Sequence, residues 1–248
     1  SQISSISLQT FFLLLFFYFF FQLANRRNLL TIFLFSFISG LLILLRGEFI
    51  LILVFSILYL FIFFKTKLKN IFIIILISII TISPYLVRNI LVFDKITITK
   101  SLGFNLWKGN NINSGVEGSE FMNTDLKEKI YSVDKNKLFR INIDKVFMDE
   151  AINNITNAPG KYFILFVKKI ISFIFIDINS SQPNYYNPLH YLPLFLIGAM
   201  SLIGIILSDK KSSKMNYLIL IYFLNVLIFS SFFILPRYKL AILPLQLI

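Results

Sequence analysis

The chain has 248 residues, of which 57% are hydrophobic and 15% charged, with 30 Phe and a mean hydropathy of +0.79. That composition excludes an ordinary soluble domain. With no Cys and a single His, it also excludes a disulfide framework, a zinc–thiolate site, a cysteine nucleophile and a histidine-rich metal centre.

A net charge of +12 would suit nucleic acid if the basic residues shared one face, but residues 90–160 hold nine basic and nine acidic side chains and contribute nothing to it. The surplus lies between and beside apolar runs, as in a membrane protein. The chain starts with Ser, has no basic segment before its first apolar run, and ends in the unfinished run Leu240 to Ile248. It is therefore expected to be a piece of a larger protein rather than to begin with a signal peptide.

In chain order the apolar runs are Ile3 to Ala24, Leu29 to Leu45, Phe49 to Phe64, Ile71 to Val87, Tyr191 to Leu207 and Met215 to Leu235. Each comes near the roughly 20 residues that a helix needs to cross a hydrocarbon core about 30 Å thick. Helices are expected, because the bilayer offers backbone amides no other partner.

Lys and Arg are retained on the cytoplasmic side, so Arg26-Arg27, Lys65-Lys67-Lys69 and Lys210-Lys211-Lys214 mark cytoplasmic turns. Arg46-Gly47-Glu48, residues 90–160 and Arg237-Tyr238-Lys239 then face the other side. Lys161 to Ile178 is also apolar, but a mid-span charge such as Lys168 or Lys169 costs about 2.5–3.5 kcal/mol on insertion scales. A span there would also break the parity, so an interfacial helix is expected.

The 90–160 segment opens with β-prone Ile96 to Thr99 and passes through turn-rich Gly109 to Ser119. A helix then carries Leu138, Ile141, Met148, Ile152 and Ile155 on one face and stops at Pro159-Gly160. The fold class is an all-α polytopic membrane protein of about six transmembrane helices, with an interfacial helix and a small external α-rich loop domain. Its layout is 1–89 transmembrane helices one to four, 90–160 external domain, 161–188 interfacial helix and connector, and 189–248 C-terminal transmembrane helices.

Three polar clusters directly follow spans: Arg46 with Glu48, Arg88 with Asn89, and Arg237, Tyr238 and Lys239. Cations at headgroup depth suit a lipid-linked phosphate, which Arg can grip with a bidentate fork. They equally suit interfacial anchoring by snorkelling side chains. Glu48 either contacts substrate or pairs with an arginine. Asp149 and Glu150 project about 100° apart on a helix and suit a solvated face. His190 suits an interfacial hydrogen bond, Trp107 stacks on a sugar or anchors at the surface, and Asn225 suits helix–helix association.

The order of these elements resembles the polytopic glycosyltransferases of the GT-C fold, in particular the dolichyl-phosphate-mannose protein mannosyltransferase-like group (glycosyltransferase family 39) and its bacterial relatives, the aminoarabinose transferases. The resemblance rests on Ser39 to Glu48 (SGLLILLRGE), Ser83 to Phe93 (SPYLVRNILVF) and Gly103 to Asn111 (GFNLWKGNN). It continues through Asp149-Glu150-Ala151 leading to Ala158-Pro159-Gly160, and Pro236 to Pro244 (PRYKLAILP). Leu45, Tyr85, Lys95 and Ala241 stand where that family has Thr, Trp, Gly and Pro.

The resemblance implies transfer of a sugar from a polyprenyl- or dolichyl-phosphate donor to a protein or glycolipid acceptor on the non-cytoplasmic face. A bacterial inner membrane with a periplasmic 90–160 segment would suit it. It implies donor contacts at Arg46, Glu48, Arg88, Asn89, Trp107, Asn110, Arg237, Tyr238 and Lys239. The catalytic carboxylate would lie in an N-terminal loop outside this sequence. No cofactor, metal site or nucleic-acid partner is expected, with a divalent cation left open. The alternatives are an O-antigen polymerase or ligase-like enzyme, and a non-catalytic transport or scaffold subunit.

Overall fold

A computed structural model describes residues 5–177, 179–180, 187–208 and 212–247. The side chains of residues 5, 188, 190, 236, 237 and 241 also fall outside the description. Every regular element among the described residues is a helix: α1 (Ser5–Asn25), α2 (Leu29–Leu45), α3 (Phe49–Ile62), α4 (Leu68–Phe93), α5 (Leu102–Asn110), α6 (Thr124–Tyr131), α7 (Phe139–Asn157), α8 (Pro159–Ile174), α9 (Pro188–Leu207), α10 (Ser213–Ser231) and α11 (Pro236–Gln246).

Each of the six apolar runs forms a helix. Among the described residues three helices are long and apolar enough to cross a membrane: Ile6–Asn25, Leu68–Phe93 and Ser213–Ser231. Leu29–Leu45, Phe49–Ile62 and Tyr191–Leu207 are apolar but shorter. Ile96 to Thr99 forms no strand. A strand needs a partner strand, and here the Thr97 carbonyl instead accepts a 2.7 Å bond from Asn89 Nδ2.

The chain divides into two compact units. The first comprises residues 1–98, 208–224 and 240–245, and the second residues 99–207, 225–239 and 246–248.

In the first unit α1 and α2 run antiparallel, with Phe16 and Phe20 against Phe35 at ring separations of 4.9 and 6.1 Å. Helices α2 and α4 run parallel and in close contact. Ser78 Oγ donates to the Ser36 carbonyl at 3.1 Å, and a Cβ on Gly40 would stand 2.6 Å from Thr81 Cβ. Small residues at this seam let the backbones approach where hydrophobicity alone gives lipid-embedded helices no reason to associate.

Pro84 removes one backbone donor inside α4. The Ser83 hydroxyl supplies a replacement, donating to the Ile80 carbonyl at 2.8 Å. Tyr217 of α10 is fully buried, stacked 3.6 Å from Phe20 and bonded to the Ser56 hydroxyl at 2.8 Å.

The basic turns meet at one end of this unit. Arg27 donates to the Phe64 carbonyl and, at 3.2 Å, to that of Lys65. Tyr59 Oη, near the end of α3, donates at 2.7 Å to Ser213 at the start of α10, which brings Lys214's turn to the same end. Lys210 and Lys211 lie outside the described residues.

In the second unit α5 packs on α7 around Trp107, Leu126, Phe147 and Ala151. A Cβ on Gly103 would lie 1.9 Å from the Asp144 carbonyl oxygen, which explains a glycine at this crossing. The Asp144 carboxylate accepts from the amides of Gly103 at 3.0 Å and Phe104 at 2.8 Å, satisfying orphan donors at the positive end of α5. The buried face of α7 is Phe147 and Ala151 flanked by Ile143 and Val146. The face expected through Ile152 is rotated outward, with Ile152 itself exposed, because Gly103 admits α7 on the Asp144–Phe147 side. Asp149 is exposed.

Candidate functional site

The α2–α4 register decides where the first two cation clusters lie. Ser36 opposite Ser78 and Gly40 opposite Thr81 carry Arg46 and Arg88 to the same end of two parallel helices, opposite the end that holds Arg27 and Lys65. Arg46 leaves α2 in extended conformation. Its Nε lies 2.5 Å from Glu48 Oε1, with both side chains about three-quarters covered. Arg46 Nη1 also reaches Gln9 Oε1 at 3.5 Å.

Gln9, on α1, is 1% exposed. Its Nε2 has no hydrogen-bond partner among the described residues. A buried unpaired amide donor costs about 1–3 kcal/mol, so this corner is short of an acceptor. Arg88 is exposed and its Nη1 lies 3.4 Å from Asn89 Oδ1. Asn89 is fully buried and spends its amide on Thr97.

Between α2, α3 and α4 runs a half-open apolar groove. Ile43, Ile50, Leu86 and Ile98 line it near the Arg46 end, and Leu58 and Ile75 deeper down. From Leu86 to Ile75 it extends roughly 16 Å along α4 at 1.5 Å per residue.

The second unit uses its sequence-expected site residues differently. Trp107 is 1% exposed, wedged against Phe147 and Phe104 at 4.8 and 5.9 Å, and so is not a surface anchor. Asn110 donates to the Leu106 and Ser231 carbonyls, each at 2.9 Å. Its Oδ1 accepts from Lys169 at 3.2 Å.

Lys169 is fully buried. It also donates to the Gly109 carbonyl at 2.8 Å and the Phe232 carbonyl at 2.5 Å. Burial holds its pKa down at about 7. Its neighbour Lys168 is exposed, so one lysine of the pair faces out while the other ties α8 to the ends of α5 and α10.

Tyr238 lies against Phe229 with ring centroids 5.6 Å apart. Lys239 is 3% exposed and donates to the Phe175 carbonyl at 2.6 Å. Burial lowers its pKa to about 7, against an opposing pull from Asp177. Asp177 is itself raised, chiefly by burial. The Arg237 and His190 side chains lie outside the described residues, and Asn225 is buried within α10.

Of the residues expected to contact a substrate, Arg46, Glu48 and Arg88 therefore share one end of the first unit, whereas Asn89, Asn110 and Lys239 serve as structural ties and Trp107 as core. Sequence reading missed Gln9 and Asp144, and took Lys169 only as a charge in an apolar helix. A glutamine near the start of a long apolar run was the signal for the first. The others become legible only once the chain is folded.

Among the described residues no group of three His, Cys, Asp or Glu side chains is placed to hold a metal ion. No protein-family model, curated protein or solved structure matches the chain. Among the described residues the chain is all-helical, with three helices long and apolar enough to cross a membrane.

Proposed function

We propose that this chain is part of an integral membrane glycosyltransferase that takes a sugar from a polyprenyl- or dolichyl-phosphate donor and passes it to a protein or glycolipid acceptor on the non-cytoplasmic face. The observation carrying the reading is the register that brings Arg46 and Arg88 to one end of α2 and α4, with an apolar groove descending from that end. Arginines at headgroup depth suit an anionic head, and the groove suits its hydrocarbon tail. Gln9 Nε2 adds a donor for a phosphate oxygen.

In such a transfer an acceptor hydroxyl attacks the anomeric carbon, and the lipid phosphate leaves. Positive groups held near that phosphate stabilise its developing charge. The proton on the attacking hydroxyl needs a carboxylate base, a role this reading assigns to no carboxylate among these residues.

Six spans are proposed, the three shorter apolar helices crossing with the three long ones. The end that gathers Arg27 and Lys65 would face the cytoplasm, and the Arg46 end together with the 90–160 segment would face the periplasm of a bacterial inner membrane.

A second reading, a non-catalytic lipid-binding subunit, draws support from Asn110 and Lys239, whose polar atoms are spent on carbonyls. Transfer from radiolabelled polyprenyl-phosphate sugar in membranes holding the full-length protein separates the two. Arg46→Ala and Arg88→Ala should each lower transfer at least about tenfold, the equivalent of 1.4 kcal/mol in transition-state binding. Wild-type rates in both variants would defeat the donor-site reading.

A further inference from the structure

In the second unit a small half-open cleft lies between α7 and the loop before α6, lined by Trp107, Ile112, Phe121, Asn123, Glu150 and Asn154. Phe121 and Ile112 are 62% and 65% exposed, and they form an apolar rim. Glu150 and Asn154 are one helical turn apart on α7 and therefore project to the same side. The half-buried Asn154 carboxamide has no hydrogen-bond partner among the described residues. Asn123 caps α6 through Oδ1, accepting from the Leu126 amide at 3.0 Å, and its Nδ2 has no hydrogen-bond partner among the described residues.

The charge of the cleft narrows the class of ligand. Glu150 is already balanced by Lys129 at 3.2 Å, and Lys161 is committed to the Ile112 carbonyl at 2.8 Å. No lining residue is a cation, so nothing calls for an anion, and a single neutralised carboxylate does not hold a metal ion. A hydrophobic rim with carboxamide donors and acceptors beside one carboxylate suits a hydroxyl-bearing edge of a neutral ring, the cleft of about 60 Å³ being too small to enclose the whole ring.

We infer that this cleft is a binding subsite for a neutral saccharide, with the ring lying against Phe121 and its hydroxyls bonded to Asn154, Asn123 and Glu150. It is built from residues of the second unit alone and stands whether or not the Arg46 end binds a lipid phosphate.

Trp107 is the chain's one tryptophan and lines the cleft, so intrinsic fluorescence reports occupancy without any assay of transfer. The detergent-purified protein is titrated with glucose, galactose and N-acetylglucosamine at millimolar concentrations, with inorganic phosphate as the comparison. At least one sugar should give a saturable emission change and phosphate none. Asn154→Ala and Phe121→Ala, both outside the packed core, should weaken that response about tenfold while circular dichroism stays that of the wild type. No saturable change with any of the three sugars, an equal response to phosphate, or an undiminished response in both folded variants would each overturn the assignment.

Discussion

Lys169 Nζ lies 3.2 Å from Asn110 Oδ1, so two polar residues of the aqueous-looking segment and an apolar helix are joined in a fully covered bond. The same ammonium serves the carbonyls of Gly109 and Phe232, which mark the ends of α5 and α10. Lys169→Met keeps the length of the side chain but leaves these acceptors bare, at about 1–3 kcal/mol for each buried group left unpaired. A fall of several degrees in the unfolding temperature of the purified protein is expected, and an unchanged midpoint would mean that water already serves those carbonyls.

The two covered lysines also set a pH response. Both Lys169 and Lys239 have a folded pKa lowered to about 7 from an ordinary 10.5. Between those values the unfolded chain holds more protons than the folded one, so stability rises with pH across that window and is insensitive to these groups below it. Melting curves from pH 6.5 to 10 should climb for the wild type. They should be flatter for Lys169→Met combined with Lys239→Met.

Gly40 tests the seam on which the shared cation end depends. A Cβ there would meet Thr81 at 2.6 Å, and overfilling a tight contact costs about 1–3 kcal/mol. Gly40→Leu should lower thermal stability and, by displacing α2 from α4, weaken any effect that depends on Arg46 and Arg88 together. Full retention of stability would show that the seam can open at little cost.

Asp144 caps α5 through two backbone amides. Replacing such a cap by alanine costs about 0.5–2 kcal/mol. Asp144→Ala is expected to raise amide exchange in the first turn of α5 more than elsewhere, whereas uniform exchange would assign Asp144 no capping role.

Sidedness has a direct measurement, because a chain with no Cys needs no background removed before single cysteines are introduced. Lys95→Cys, beyond the Arg88 end, should react with an impermeant maleimide on intact spheroplasts. Lys69→Cys, in the opposite turn, should react only after permeabilisation. The reverse pattern would invert the proposed orientation.

Much of the helical order was legible because apolar runs of this length admit one backbone solution. The grouping of Arg27 with Lys65 and of Arg46 with Arg88 followed from counting spans between basic turns. The fates of Trp107, Asn110 and Lys239 were not legible. Each belongs to a polar stretch whose residue types suit ligand contact, yet the groups that claim them, Phe147, Ser231 and Phe175, are 40, 121 and 64 positions away in the chain. Lys169 was misleading for the same reason. An insertion cost holds for a charge that meets lipid, whereas here three carbonyl oxygens at helix ends offset much of it. The rotation of α7 was hidden in Gly103, whose missing side chain selects the face that packs.

The Ser36–Ser78 and Gly40–Thr81 contacts also govern something that neither cation controls. Gly40 lies about 9 Å below Arg46 along α2 at 1.5 Å per residue, so the gap between the two guanidinium groups is calibrated by buried carpentry rather than by the loops that display them. Drift in those loops should be tolerated more readily than one added methyl group at Gly40.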